Sequence, residues 1–274
     1  MRLPAPRLSP DNPGHRQGHD PVSPPSRATS YNVVLARRRF FVDSIRSGTA
    51  ELVGEDAHHL TRVLRVEPGQ RYEISDLRCA YLAEIAEAHS DRVLFRVLEA
   101  IETPPAPASI VLSAALIKFD RFEWIIEKAT EMGVDRIRPV AAARTEKGLL
   151  EASRKRTERW VRIAREAGQQ SRRLRPPEIL PAVSFEACLP AAAEYRYFLD
   201  EAAAPPLLAV LPEQRPAGAH IGLLVGPEGG WADNEREAAI AALWTPVSLG
   251  PQILRAETAV LAAMAVVSNA WLVS

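Results

Sequence analysis

An α/β fold with a mostly parallel sheet, preceded by a small β-barrel, is what the sequence predicts, and three observations predict it. After residue 107, short apolar runs alternate with helical stripes, the order that builds a parallel sheet covered by helices on both faces. Before that point the runs are strand-like and are separated by turns such as Glu67-Pro68-Gly69. Between the two stands Thr103-Pro104-Pro105-Ala106-Pro107, which continues neither a helix nor a strand interior and reads as a linker. A length of 274 residues with 47% hydrophobic composition is enough for two domains, each with its own core.

Residues 1–36 carry seven prolines, scattered arginines and few large apolar side chains. That composition buries too little surface to offset chain entropy, so a disordered extension is expected. An initiation codon assigned too far upstream explains the segment equally well. It has no apolar stretch of the kind that marks a secretory signal. The barrel region, residues 37–103, follows, with strands predicted at Arg39 to Val42, Glu51 to Val53, Arg71 to Ser75, Cys79 to Ala86 and Arg92 to Ile101. One helical stretch, Asp56 to Leu64, interrupts them.

The α/β region, residues 108–274, opens with a strand at Ile110 to Leu116 and a helix at Arg121 to Met132. In that helix Phe122, Ile125, Ile126 and Ala129 form one apolar stripe, Asp120 and Glu123 have the spacing of a capping box, and Gly133 stands where a C′ glycine belongs. A strand at Arg136 to Val140 and a helix at Glu151 to Gln170 follow, the helix with Trp160, Ile163, Ala164 and Ala167 on one face. Further strands are predicted at Ile179 to Leu180, Tyr197 to Asp200, His220 to Val225 and Pro246 to Leu249. The last helix, Ala256 to Leu272, is so rich in alanine and other apolar residues that it must be buried against a sheet or a partner.

Composition narrows the function. Thirty-four basic residues balance thirty-four acidic ones, so any attraction to nucleic acid has to come from a local patch. Cys79 and Cys188 stand far apart without a CxxC, which suits a reducing cytoplasm and offers neither a disulfide framework nor a zinc site. The run of apolar residues near the C-terminus is interrupted by Glu257, Thr258, Ser268 and Asn269, so a soluble, cytoplasmic protein is expected, with no membrane partner.

Two loops single themselves out. Gly226-Pro227-Glu228-Gly229-Gly230-Trp231 leaves one apolar strand and precedes Asp233, a good N-cap, with Glu235 and Glu237 in the first turn. Leu249-Gly250-Pro251-Gln252-Ile253-Leu254-Arg255-Ala256-Glu257-Thr258-Ala259 leaves the next and enters the last helix. Glycines permit positive φ and close backbone approach, so such loops can hold a ligand by main-chain hydrogen bonds. Neither matches G-x-x-x-x-G-K-S/T or G-x-G-x-x-G, which disfavours nucleoside triphosphates and dinucleotides. Two ordinary tight turns are the alternative. The expected position at the C-terminal ends of neighbouring strands, where open α/β sheets bind ligands, favours a site.

A basic segment is the other candidate. From Arg144 to Arg175 eleven Lys and Arg stand against four Glu, a charge of +7. On a continuous helix Lys155, Arg159 and Arg162 share one face, suited to tracking phosphates, although a solvated amphipathic face gives the same pattern. Gln169-Gln170-Ser171-Arg172-Arg173-Leu174-Arg175 adds hydrogen-bonding groups that can meet phosphates and base edges. Arg37-Arg38-Arg39, Arg62 and Arg65 add charge near Phe40, Phe41 and Tyr72, aromatics better suited to a core than to base stacking. His58-His59 lacks a third ligand at metal-site spacing and reads as structural or RNA-facing.

Taken in order, Arg39-Phe40-Phe41-Val42, His58-His59-Leu60, Val63-Leu64-Arg65, Ala115-Leu116-Ile117-Lys118, Glu123-Trp124 through Met132-Gly133, Gln170-Ser171, Gly226 to Gly230, Leu249-Gly250, Ile253-Leu254-Arg255 and Glu257-Thr258-Ala259 resemble the 16S ribosomal RNA uridine-N3 methyltransferases (RsmE), a branch of the SPOUT class. The resemblance runs from about Arg38 to the C-terminus. Phe119, Gln169 and Arg172 depart from the family pattern, which bears on how RNA contacts carry over.

The resemblance implies a PUA-like RNA-binding β-barrel over 37–103 and, over 108–274, a SPOUT domain whose last segments form a trefoil knot, a rare topology that periodicity cannot reveal. It implies S-adenosyl-L-methionine as cofactor, held by Leu224, Val225, Gly226, Pro227, Glu228, Gly229, Gly230, Leu249, Gly250, Ile253, Leu254, Arg255, Thr258 and Ala259. It implies 16S rRNA of the small ribosomal subunit as substrate, methylation at uracil N3, a homodimer packed through the knot, and no metal. Arginine cannot act as the base, but its donors suit charge developing on uracil oxygens, and Arg144, Arg173 and Arg255 are the candidates. Glu228 and Glu257 are possible bases, although glutamates at helix starts more often act as caps. A non-catalytic RNA-binding assembly factor and a SPOUT ribose 2′-O-methyltransferase are the alternatives.

Overall fold

The computed structural model describes residues 38–202 and 204–273. The expected extension over 1–36 and Arg37 lie outside the described residues. Two sheets, one from each half of the chain, lie within one compact unit.

The first sheet comprises β1 (Arg39–Phe41), β2 (Ile45–Arg46), β3 (Thr49–Val53), β4 (Arg71–Ser75), β5 (Ala80–His89) and β6 (Arg92–Ile101), in the order β1-β4-β5-β6-β3-β2. Only the β1·β4 pair is parallel. Strict alternation of exposed and buried residues along β3 puts Ala50 and Leu52 inward with Phe40, Ile74, Ile85 and Phe95. Phe40 and Tyr72 meet edge to face within this core, so these aromatics stack on protein. β2 had no signal of its own beyond two residues of turn-flanked sequence. The helical stretch expected at Asp56 to Leu64 starts earlier, as α1 (Gly54–His58), and finishes as one π-helical turn, His59–Val63, closed by Leu64 N donating to His59 O at 3.1 Å.

The second sheet comprises β7 (Ala108–Ala115), β8 (Arg136–Ala141), β9 (Glu178–Ile179), β10 (Val183–Ser184), β11 (Tyr195–Leu199), β12 (Ala219–Val225) and β13 (Thr245–Val247). All its pairings are parallel; the order is β10-β8-β7-β12-β11-β13, with β9 also on β8. The central strands are covered on both faces, which is why they read as continuous apolar runs. Pro246 is tolerated because β13 is an edge strand.

The helices of this half are α2 (Phe119–Glu131), α3 (Leu149–Arg154), α4 (Thr157–Gln170), α5 (Phe185–Cys188), α6 (Leu207–Val210), α7 (Asp233–Ala241) and α8 (Ala256–Leu272). The stripe Phe122, Ile125, Ile126 and Ala129 is buried, against Trp160 and Ala164 of α4 and Val260, Met264 and Val267 of α8. Gly133 ends α2 at φ +96°, a backbone only glycine adopts without strain.

Three local expectations need correction. Lys118 is the N-cap of α2 and no side chain caps it; Glu123 instead accepts two hydrogen bonds from Arg159, at 2.8 and 2.9 Å, because a partner on α4 offers it a bidentate geometry. The helix expected over Glu151 to Gln170 is two helices, broken at Lys155 and Arg156, so Lys155 does not share a helix face with Arg159 and Arg162. Asp233 is the first residue of α7, not its cap; Ala232 occupies the N-cap, and Glu235 accepts from its N–H at 2.9 Å.

Candidate active site

Parallel strands deliver their following turns to one edge of the sheet, so the turns after β11, β12 and β13 gather at the C-terminal edge. They frame one cavity that opens to solvent. The two glycine-bearing loops therefore line one space, but they do not leave neighbouring strands. β11 pairs on one side with β12 and on the other with β13. Its own following turn, Asp200-Glu201, is a third wall that sequence reasoning missed. No local signal marks it, since strand order is set by pairing between distant segments.

Val225, Gly226, Pro227, Gly230, Leu249, Gly250, Ile253, Leu254 and Ala259 of the expected cofactor residues line the cavity. The other five do not. Leu224 is fully buried, in register with Phe198 on β11. Glu228 turns outward into an ion pair with Arg121. Gly229 offers its carbonyl to Arg144, while Arg255 and Thr258 are exposed at the start of α8. Leu199, Trp231, Val247, Ser248 and Ala256 are further lining residues beyond that set.

Trp231 fixes the shape of the first loop. It is 1% exposed, stacks on Phe198 with ring centres 5.0 Å apart, and donates its indole N–H to Leu199 O at 2.8 Å. The ring fills the space beside Gly226, where a Cβ would lie 2.9 Å from it. Gly230 has φ +71°, and a Cβ there would run into the Glu201 carboxylate. Arg236 ties the walls together by donating to both oxygens of Asp200, at 3.1 and 3.0 Å, and to Trp231 O at 2.8 Å. Those bonds hold its guanidinium above the usual arginine range. Glu235, 2% exposed, accepts from Ala143 N at 2.8 Å as well as from Ala232 N. It thereby ties the glycine loop to the turn carrying Arg144.

The three arginine candidates are not brought together. Arg144 lies across the glycine loop and donates to Gly229 O at 2.5 Å. Arg255 is exposed beside the second loop, as the N-cap of α8. Arg173 donates to Thr130 O at 3.0 Å and lies 3.7 Å from Asp135. Those groups sit where α2 ends and just before β8 begins, so within this chain Arg173 is at the opposite edge of the sheet from the cavity. Burial pulls its guanidinium below the usual range, and Asp135 offsets part of that. Glu257 Oε2 is buried without a hydrogen-bond partner among the described residues.

The basic segment stays mostly exposed, but several of its arginines pair with the protein's own carboxylates. Arg165 makes two bonds to Asp56, at 2.9 and 2.7 Å, and one to Phe41 O at 3.0 Å. Arg162 pairs with Glu55 and Arg172 with Glu73, both at 3.4 Å. Arg38 donates to Gln170 at 2.8 Å and meets His59 Nε2 at 2.9 Å, so His59 belongs to this junction. The departures at Gln169 and Arg172 lie here too: Gln169 donates to Asp56 at 3.3 Å, and Arg172 takes φ +55° beside Glu73. Phe119 packs edge to face on Trp160 under the Arg156 guanidinium. Cys79 and Cys188 are both free thiols. Among the described residues no helix is long and apolar enough to cross a membrane, and no group of three or more His, Cys, Asp or Glu is placed to hold a metal ion.

Fold and site together define a class: a parallel α/β sheet with a cavity framed by glycine-bearing turns at its C-terminal edge, joined to a small, mostly antiparallel sheet. Comparison with known proteins narrows it. Residues 104–268 match the RNA methyltransferase domain family, and residues 52–98 match the RNA methyltransferase PUA domain. The chain is 34% identical over 254 residues to ribosomal RNA small subunit methyltransferase E of Synechocystis, covering 86% of this chain and 76% of that protein. To the protein of the same name from Bacillus subtilis it is 29% identical, covering 84% and 96%. The crystal structure of ribosomal RNA small subunit methyltransferase E from Neisseria gonorrhoeae bound to S-adenosyl methionine superposes with a TM-score of 0.74 at 30% identity, over 85% of this chain and 98% of that one. This chain belongs to the ribosomal RNA small subunit methyltransferase E family.

Proposed function

We propose that the chain methylates N3 of a uracil in 16S rRNA of the small ribosomal subunit, with S-adenosyl-L-methionine as donor. The observation that carries the reading is the convergence of both glycine-bearing loops on one cavity. The lining fits an adenosyl ligand: Val225, Leu249 and Leu254 offer apolar surface, and the backbone of Gly226, Gly230 and Gly250 can approach closely. When bound, the cofactor supplies an electrophilic methyl group on a sulfonium.

The chain's own work is to position the uracil and stabilise negative charge as N3 loses its proton. Arg144 suits the second task, since it is held beside the cavity wall through Gly229 O and keeps further donors on its guanidinium. Arg255 stands at the same edge and is a second candidate. In a homodimer packed through α8, Arg173 would serve an RNA bound across both subunits rather than the cavity of its own chain. In this reading residues 108–274 form the SPOUT domain, with the segments around the cavity threaded as a trefoil knot, and residues 37–103 form the PUA-like domain that docks RNA.

The test is labelled methyl transfer to small subunits from a strain lacking the protein, followed by nucleoside analysis. N3-methyluridine at one position is expected. A ribose 2′-O-methyl product, or no incorporation, would overturn the reading.

A further inference from the structure

The charges on the cavity wall are one-sided. Asp200 and Glu201 line it, and among the described residues no Lys, Arg or His does. Behind them Arg236 faces three carboxylates: Asp200 at 3.0 Å, Asp233 at 3.1 Å and Glu201 at 3.7 Å. One guanidinium against three carboxylates leaves a net charge of −2. The neutralisation is uneven. Asp200 accepts two hydrogen bonds from Arg236 and its side chain is 6% exposed, whereas Glu201 is held only at long range and is 44% exposed, beside Gly230. Glu201 therefore carries the least compensated charge facing the cavity.

That charge bears on a discrimination that main-chain contacts cannot make. The methyl donor and its demethylated product share the adenosine and the amino-acid end. They differ by a methyl group and one positive charge, because a sulfonium becomes a thioether. Hydrogen bonds to adenine, ribose or the amino acid hold both alike, while a carboxylate on the wall favours the cation. We propose that Glu201 is a specificity-determining residue that makes the cavity prefer the sulfonium donor to its neutral product, and so favours product release. The assignment rests on the S-adenosylmethionine reading of the cavity.

The experiment is calorimetric titration of the full-length wild-type protein and Glu201→Gln with three ligands: S-adenosylmethionine, S-adenosylhomocysteine, and sinefungin, which carries an amine in place of the S-methyl group. Removing the charge should weaken the two cationic ligands about tenfold and S-adenosylhomocysteine less than about twofold. With the wild type, raising salt from about 0.05 to about 0.5 M should weaken the cationic ligands selectively, and Glu201→Gln should lose that salt dependence. An unchanged unfolding transition establishes that the variant is folded; if it is not, the wild-type salt series decides alone. Equal weakening of all three ligands would make Glu201 a hydrogen-bonding group for the shared part and overturn the proposal, as would no weakening of any. If the wild type binds none of the three, the cofactor reading itself falls.

Discussion

The C-terminal edge of the parallel sheet and the junction between the two sheets are built from different materials. At the edge the walls are mostly glycines and small or apolar residues, with Asp200 and Glu201 on one side and Trp231 wedged behind Gly226. At the junction the contacts are charged side chains reaching across: Arg165 to Asp56, Arg172 to Glu73 and Arg38 to Gln170. Where a wall is glycine backbone it is sensitive to added atoms, because its shape is the recognition element. A web of ion pairs tolerates changes of shape and responds to removed charge and to ionic strength. The contrast separates a ligand cavity at one edge of the sheet from a charged surface towards the other.

The largest expected effect lies in the first sheet, just beneath the junction. Arg39 and Glu73 form an ion pair at 2.9 Å with side chains 7% and 8% exposed. Glu73→Ala should cost about 3–5 kcal/mol in denaturant unfolding, because it strands a buried guanidinium. A loss under about 1 kcal/mol would mean that water reaches Arg39. At the cavity, Gly226→Ala should cost about 1–3 kcal/mol, since the new methyl must displace the Trp231 ring. Binding of S-adenosylmethionine, followed by calorimetry, should fall more steeply than stability does; unchanged binding would show that the loop shape is not what recognises the ligand.

Alkaline titration sharpens the same comparison. Burial pushes the Cys188 thiol and the Tyr197 hydroxyl up to about 12 each, from 9.0 and 10.0. The folded chain keeps both protons where the unfolded chain releases them. Their contribution is therefore present below pH 9 and is lost as pH rises from 9 towards 12, by about 2 kcal/mol at pH 10. Thermal unfolding at pH 8 and pH 10 measures it, and equal transition temperatures would show that neither group stays buried. In the same range Cys79, which is exposed, should react with a maleimide while Cys188 does not. The smallest effect is at the open part of the junction. Arg165→Ala should cost about 0.5–1 kcal/mol at low salt, because its side chain is 35% exposed, and the difference from wild type should shrink in 0.5 M salt.

Both candidate regions were visible in the sequence, though unequally. Glycine at 226 and 230 reports a backbone requirement that is local, so the loop could be found by reading a few residues. The apolar stripe of α2 and the full extent of α8 were legible for the same reason, since periodicity along one segment decides which face is buried. The arginines of the basic segment could be counted but not interpreted. Whether Arg159 meets a phosphate or Glu123 depends on which surface faces α4, and Glu123 lies on a different helix. The break at Lys155 and Arg156 had no glycine or proline to announce it.

By itself the sequence determined the main strands and helices, the alternation that makes a parallel sheet and the loops able to come close to a ligand, because each follows from the chemistry of neighbouring residues. Tertiary structure alone decided that β11 separates β12 from β13, that Asp200 and Glu201 become a wall of the cavity, and that Arg173 lies at the far edge of the sheet. Strand order and side-chain pairing are settled by the free energy of contacts between segments far apart in the chain, and no local pattern encodes which distant partner wins.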